Sequence, residues 1–215
     1  MREVIRQLID QLADLPETER LFNPYARRHD PESAIRRENL SLYLHDMLSR
    51  QPRLLLLAEA PGYRGCARTG IPVTSESIML AGIEKWRLFG NGYRPTTDQP
   101  NGMAEMSATI LWGALIEHLA EPPVIWNTVP LHPHKTGNRD SNRTPTVSEL
   151  EIGKPFISAV LDLFGFEQVC AVGRKAERVL GEMGVTCHYL RHPSQGGKAD
   201  FVAGLKEISD QNRQG

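Results

Sequence analysis

The order of apolar and polar residues predicts strands that alternate with helices after a helical N-terminal segment. Apolar positions at helical spacing predict helices over 1–14 and 30–50, and we interpret residues 1–50 as a helical preface packed on the rest. Four consecutive leucines before Ala58 predict a strand over 53–58 that is buried on both faces, as in a parallel sheet. Shorter apolar runs predict further strands at 124–126, 169–172 and 187–190.

Helix signals lie between and after these strands. The predicted helices span 77–88, 103–119, 148–164, 173–183 and 199–210, with Pro155 as a position where the third of them could bend or restart. The segments 21–25 and 89–102 are predicted to be irregular, the second because it is rich in turn-forming residues. Strands that alternate with helices indicate an α/β fold. We predict a three-layer α/β/α sandwich around a short, mainly parallel four-stranded sheet, in a single domain over 1–215.

Length and composition are typical of a globular protein. The chain has 215 residues, of which 40% are hydrophobic, enough for one sizeable core. No segment approaches the roughly 20 apolar residues of a membrane span, and the charged N-terminus lacks the apolar run of a secretory signal. Three cysteines are too few and too scattered for a disulfide framework or a CxxC site. We therefore expect a cytoplasmic protein without membrane attachment.

The three predicted strand-end loops, 60–75, 131–146 and 191–198, are strongly basic. Together they hold seven basic residues and one acid, Asp140, whereas the remaining residues hold 18 bases and 25 acids. Loops that only face solvent usually carry both basic and acidic residues. The excess of basic residues therefore favours a site for a polyanion.

Three predicted strand ends carry polar residues that could form one site: Glu59, Asn127 and His192. Ligands of open α/β sheets bind at the carboxyl ends of the strands. Each residue also has an ordinary structural interpretation, as a cap, a turn residue or a structural histidine. No nucleophile elbow, Walker A loop or GxGxxG stretch is present. The pair His132 and His134 is a weak metal signal, and we predict no metal site.

Four short blocks carry a family resemblance. They are Glu59-Ala-Pro-Gly62, Asn127-Thr-Val-Pro-Leu131, Asn142-Arg-Thr-Pro145 and His192-Pro-Ser194. In this order they resemble the signature blocks of the uracil-DNA glycosylase superfamily, with the family-four type as the nearest match. The resemblance covers roughly 53–205 and leaves the helical preface outside.

The resemblance implies a role for each block. It gives Glu59 and His192 the catalytic positions, the first as the acid of the first motif and the second as the donor to the departing base. The implied base-binding residues are Ala60, Pro61, Gly62, Tyr63, Val73 and Asn127. Because the target base must leave the duplex, the loops must hold phosphates. The residues expected there are Arg64, Arg68, Lys135, Arg139, Arg143, Ser194, Gln195, Gly196 and Lys198.

The chain departs from the family pattern at several positions. Family-four members hold an iron–sulfur cluster on four cysteines, but the early chain has no cysteine and Leu131 stands at one ligand position. We expect no cofactor. Val73 replaces the phenylalanine that stacks on uracil, so either Tyr63 or Trp126 substitutes for it or base binding is weak. Gly62 stands where the best-known branch uses a tyrosine against the methyl group of thymine. Gln195 replaces an apolar wedge.

The predicted function is that of a DNA glycosylase, which hydrolyses the bond between deoxyribose and uracil or a related deaminated base. The partner would be DNA, with a monomer favoured. Two alternatives remain open: a nucleic-acid-binding protein without catalysis, and a hydrolase of free nucleosides or nucleotides. Base release from duplex, from free nucleosides or from neither distinguishes them.

Overall fold

The computed structural model describes residues 1–28 and 30–214, with side chains through 210. In this part of the chain the strands are β1 (Leu21–Phe22), β2 (Leu54–Ala58), β3 (Val124–Asn127), β4 (His132–Pro133), β5 (Gln168–Val172) and β6 (His188–Leu190). The helices are α1 (Arg2–Ala13), α2 (Pro31–Leu48), α3 (Cys66–Thr69), α4 (Glu76–Ala81), α5 (Met106–His118), α6 (Val147–Phe164), α7 (Arg174–Glu182) and α8 (Lys198–Gln214).

The core of the molecule is a four-stranded sheet in the order β3-β2-β5-β6, and every neighbouring pair is parallel. The leucines of β2 are buried on both faces because β2 is an inner strand with helices packed around it. The predicted α/β class is confirmed. Parallel pairing also brings the ends of all four strands, and the residues that follow them, to one edge of the sheet.

The two N-terminal helices share the hydrophobic core of the sheet. Ile5 and Leu12 of α1 and Leu44 of α2 are fully buried within it. The hydroxyl of Tyr43 accepts a hydrogen bond from the backbone N–H of Ile125 at 2.8 Å, which satisfies a donor on the edge strand β3. Within the described residues, no helix has both the length and the apolar character that crossing a membrane requires.

The segment 21–25 is more ordered than predicted. Its first two residues form β1, which pairs with β4 in antiparallel orientation. A strand of two residues is too short for any periodicity to reveal it. The same segment also contacts the loop after β2, because the Tyr25 hydroxyl donates to the Gly70 carbonyl at 2.9 Å. The N-terminal segment therefore supports the loop that carries the first motif.

Three helix predictions differ from the structure. The predicted helix over 77–88 is too long, because α4 ends at Ala81 and is followed by Gly82, whose φ is 73°. Only a 3-10 turn, Glu84–Trp86, follows it. The loop after β2 contains the short helix α3, which we did not predict. Pro155 does not end or restart α6, which runs through it from a capping box formed by Thr146 and Glu149.

The long segment 89–102 contains no helix or strand, and a buried carboxylate holds it in place. Glu76 is completely buried, and its side chain accepts backbone N–H groups from Thr96 at 2.6 Å, Thr97 at 3.1 Å and Met103 at 3.0 Å. Burial opposes ionisation of Glu76, but these bonds and one from the Thr97 hydroxyl outweigh it and lower the pKa. The loop that leads to α5 is therefore fixed rather than free.

Candidate active site at the carboxyl edge of the sheet

Glu59 follows β2 directly and lies at the carboxyl edge of the sheet. The backbone beside it is fixed, because Thr128 N–H donates to the Ala58 carbonyl at 2.7 Å and Val129 N–H to the Glu59 carbonyl at 3.0 Å. The Glu59 carboxylate forms an ion pair with Lys175, whose Nζ lies 3.2 Å from Oε2. It lines a cavity of about 620 Å³. A carboxylate held in this way can stabilise positive charge that develops on a bound ligand.

His192 lines the same cavity from the loop after β6. The backbone N–H of Ser194 donates to its Nδ1 at 3.1 Å, and the Ser194 hydroxyl lies 2.7 Å from the same atom. An N–H group can only donate, so Nδ1 is the acceptor and the ring proton of the neutral form is on Nε2. Burial lowers the pKa of His192 and Arg191 adds to this effect, while Glu59 opposes it. His192 is therefore a neutral donor through Nε2–H.

Asn127 ends β3, next to Ala58 in the sheet, but it is not among the residues that line the cavity. Its side chain is buried, and Nδ2 donates to Sγ of Cys66 at 3.6 Å. Oδ1 has no hydrogen-bond partner among the described residues. A buried carbonyl oxygen without a partner costs about 1–3 kcal/mol.

The predicted base-binding residues separate into two groups. Those that line the cavity of Glu59 are Ala60, Pro61, Gly62 and Val73. Tyr63 and Asn127 lie outside this lining, and Tyr63 instead lines a second cavity of about 210 Å³. Trp126, the other candidate for stacking on the base, is buried in β3. Neither aromatic ring is therefore placed to stack on a base beside Glu59. Val73 has a φ of 47°, a strained value for a β-branched residue.

A known protein family matches most of the chain. The model of the family described as "Uracil DNA glycosylase superfamily" matches residues 45–208, which include all four strands of the sheet and the three strand-end residues. The chain belongs to the uracil-DNA glycosylase superfamily. A comparison with curated individual proteins finds no match to it.

The predicted phosphate-binding residues of this superfamily member also fall into two groups. Arg143, Ser194 and Gln195 line the cavity. The others lie outside its lining: Arg64, Arg68, Lys135, Arg139, Gly196 and Lys198. Arg68 pairs with Asp140 at 2.6 Å, and the Arg139 guanidinium lies 4.9 Å from the centre of the Phe22 ring.

Arg143 lines the cavity, but hydrogen bonds within the protein already hold its guanidinium group. Its Nη1 and Nη2 donate to the two carboxylate oxygens of Glu149 at 2.7 and 2.6 Å, and both side chains are mostly buried. It also donates to the carbonyl groups of Arg20 and His134. This bidentate pair connects the loop after β4 to the start of α6. The geometry favours a structural role for Arg143 over phosphate contact.

Sequence reasoning missed three charged residues that line this cavity: Arg174, Lys175 and Glu105. Lys175 lies in the first turn of α7, just beyond the end of β5, which is the sheet neighbour of β2. The sequence could have revealed Lys175, because it follows the predicted strand 169–172 and ligands of parallel sheets bind beyond the carboxyl ends of the strands. Glu105 precedes α5 and reaches the cavity through the path of the long loop. No local signal in the sequence reveals that path.

The residues present do not fit the iron–sulfur cluster of family-four relatives. The chain has three cysteines in total, and they lie in or beside three different elements. Leu131 is completely buried in the hydrophobic core. Among residues 1–28 and 30–210, no group of three or more His, Cys, Asp or Glu side chains could hold a metal ion. The two ring nitrogens of His132 instead contact the carbonyl oxygens of Pro61 and Arg139, at 2.7 and 3.0 Å.

Proposed function

We propose that the chain is a monofunctional DNA glycosylase that hydrolyses the N-glycosidic bond of uracil or a related deaminated base. The observation that supports this most strongly is one cavity that combines the ion-paired carboxylate of Glu59 with the Nε2–H donor of His192. Superfamily membership gives this pair its chemical context.

The proposed reaction uses the two groups at opposite ends of the bond that breaks. As the C1′–N bond lengthens, the sugar gains oxocarbenium character and the base takes the bonding electron pair. The Glu59 carboxylate stabilises the sugar cation. His192 donates a hydrogen bond from Nε2 to the departing base. Water then adds to C1′, and its proton is transferred to the released base or to solvent.

The rim of the cavity carries features that suit a nucleic-acid strand. Arg174 and Arg191 are exposed and line the cavity beside Lys175, and phosphate groups bind such cations. Met106, with 80% of its surface exposed, lies between two cavity-lining residues, Glu105 and Ser107. An exposed apolar side chain at such a rim can enter the base stack and hold the duplex open. We propose that Met106 supplies the wedge that Gln195 does not.

Base release from a panel of oligonucleotides tests the proposal. Duplexes that carry one uracil, hypoxanthine or xanthine are incubated with excess protein, and alkali cleaves the abasic sites that form. Release from at least one lesion, and none from the undamaged duplex, is the expected result. Duplex binding without release from any lesion would favour the non-catalytic alternative. Release from free deoxynucleosides but not from DNA would favour the small-molecule hydrolase.

A further inference from the structure

The second cavity, of about 210 Å³, lies between the N-terminal segment and the loops after β2 and β4. Four arginines line it: Arg28, Arg36, Arg68 and Arg139. We call it the arginine cavity, and its lining shares no residue with that of the candidate active site. Arg28 and Arg36 precede residue 45 and so lie outside the range that the superfamily model matches. Superfamily membership therefore does not explain this cavity.

The guanidinium groups of three of these arginines surround one aromatic ring. Arg28, Arg139 and Arg36 lie 4.6, 4.9 and 5.5 Å from the centre of the Phe22 ring. Phe22 is buried in β1, and the pairing of β1 with β4 holds it in place. Attraction to the ring favours this arrangement, but the three cations repel one another. A bound anion would relieve that repulsion.

Three carboxyl side chains also line the arginine cavity, and they offset only part of its positive charge. Asp140 pairs with Arg68 at 2.6 Å. Asp30 is the N-cap of α2 and accepts the backbone N–H and the hydroxyl of Ser33, each at 2.7 Å. The third is Glu32 in the first turn of α2. The four arginines therefore leave an excess of positive charge in the cavity.

This excess lies on two of the arginines. Arg28 pairs with Glu17, whereas Arg36 and Arg139 form no ion pair within the described part of the chain. Arg36 is only 5% exposed, its Nε has no hydrogen-bond partner there, and its Nη1 makes a long contact of 3.4 Å with the Pro24 carbonyl. Burial lowers the pKa of Arg36 to about 10, so it is still a cation at neutral pH. A buried cation without a partner costs free energy that an anion would recover.

The chemistry of these groups suits a phosphate with a single ester bond. Guanidinium groups present paired N–H donors that match phosphate oxygens. A phosphomonoester carries close to two negative charges at neutral pH, whereas each phosphodiester within a strand carries one. Its two charges match the two arginines without ion pairs. A monoester can also reach a buried guanidinium end-on, because only one of its oxygens carries a substituent.

The size of the arginine cavity agrees with this choice. Pockets that enclose whole small molecules begin at roughly 300 Å³, and this cavity is smaller. It therefore suits a phosphate group, with the rest of the ligand outside. Tyr63 and Arg68 of its lining belong to the loop after β2, whose residues Pro61 and Gly62 line the candidate active site. A ligand held here would lie beside the strand-end loops.

We propose that the arginine cavity binds a phosphomonoester, with Arg36 and Arg139 as its charge partners. Such a group is present at the 5′-phosphorylated end of a nucleic-acid strand and on a free nucleotide. The inference goes beyond the proposed function and does not depend on base release.

Two pairs of probes test the proposal and distinguish the two sources. The first is a pair of undamaged duplexes that differ only in a 5′-phosphate or a 5′-hydroxyl on one strand, measured by fluorescence anisotropy. The second is deoxyadenosine 5′-monophosphate against deoxyadenosine, measured by calorimetry. Wild type should bind the phosphorylated member of at least one pair about 10-fold more tightly. Neither measurement requires cleavage, so the result is independent of the proposed function.

Three variants assign the binding to this cavity. Arg139→Gln and Arg36→Met should each reduce the preference to less than about 2-fold. Methionine fills most of the space of the buried arginine without a charge to desolvate. Arg27→Gln is the matched control and should keep the preference, because Arg27 is exposed, pairs with Asp10 and Asp14, and does not line the cavity. Urea unfolding of each variant checks that it folds.

The outcomes either support the site or overturn it. Loss of the preference in Arg139→Gln and Arg36→Met, but not in Arg27→Gln, supports it, and the pair of probes that shows the preference identifies the source. Equal affinity of wild type for both members of each pair would overturn the proposal. So would a preference that both cavity variants keep, or an equal loss of affinity for phosphorylated and hydroxyl ends, which indicates phosphodiester contact. If Arg36→Met does not fold, Arg139→Gln decides alone.

Discussion

Nζ of Lys175 lies 3.2 Å from Oε2 of Glu59, and the two residues reach each other from neighbouring parallel strands although they are 116 positions apart. The pair is partly exposed, with 30% and 36% of the respective side-chain surfaces accessible. At such exposure an ion pair adds little to stability. We propose that the pair orients the carboxylate toward the cavity.

Lys175→Met tests that interpretation through a double-mutant cycle with Glu59→Gln. Methionine keeps most of the stem and removes the charge, so we expect the single-turnover rate to fall by about 10-fold. If Lys175 acts only by orienting Glu59, the double variant should be no slower than Glu59→Gln alone. Multiplying losses would instead show that Lys175 acts independently, for example on a phosphate group.

Much of the fold could be predicted because its signals are local. Four adjacent leucines predict the buried strand β2, and the helix predicted over 148–164 begins only one residue later than α6 does. Strands β1 and β4 could not be found, since two residues carry no periodicity and their pairing depends on contact between distant segments. The length of α4 was overestimated although Gly82 is a stop signal in the sequence.

The candidate site was predictable where strand ends define it. The positions of Glu59, Asn127 and His192 follow from a parallel sheet, because the residues that follow its strands meet at one edge. The position of Glu105 depends on how Glu76 holds a long loop, which is a tertiary property. The pairing of Arg143 with Glu149 likewise depends on burial, and net charge alone cannot distinguish it from a phosphate contact.

His192 should be neutral at pH 7 with its proton on Nε2. Because burial lowers its pKa below 6.5, the folded protein binds the proton less tightly than the unfolded chain does. The contribution of His192 to stability should therefore be present above that value and be lost as the pH falls through the lowered pKa. Nitrogen-15 NMR of labelled histidine checks both the tautomer and the titration. An imidazolium at pH 7, or a proton on Nδ1, would contradict the assigned donor.

Arg191 and Arg143 form a matched pair of arginines with different expected roles. Arg191 is exposed at the cavity, so Arg191→Ala should weaken duplex binding and reduce the salt slope of log K by about 0.9. Arg143→Ala leaves Glu149 without its partner and should lower the free energy of unfolding by about 3 kcal/mol. Binding isotherms at several salt concentrations and urea unfolding measure the two effects. Equal effects of both variants on the salt slope would refute the distinction.

Met106→Ala should slow base release from duplex DNA more than from single strands. The wedge is needed only where a neighbouring base pair must be opened, and unstacking costs a few kcal/mol. We expect a loss of about 10-fold on duplex and less than about 2-fold on the same lesion in a single strand. Val147→Ala is a control, since Val147 is also exposed, at 54%, but does not line the cavity. Equal losses on both DNA forms would argue against a wedge.

We propose that the charge of Glu59 stabilises the transition state of base release. Glu59→Gln keeps the size and hydrogen-bonding capacity of the side chain but removes the negative charge that faces the positively charged oxocarbenium. DNA affinity should therefore change little. The variant must also be compared with wild type by thermal unfolding, because a residue that merely caps a strand end would affect stability instead.

The most direct measurement is the single-turnover rate of base release by Glu59→Gln on an active lesion, with protein in excess. We predict a loss of about 100-fold or more, which corresponds to about 2.7 kcal/mol of transition-state stabilisation, at unchanged DNA affinity and melting temperature. A wild-type rate in a variant whose melting temperature has fallen would contradict the catalytic role of Glu59.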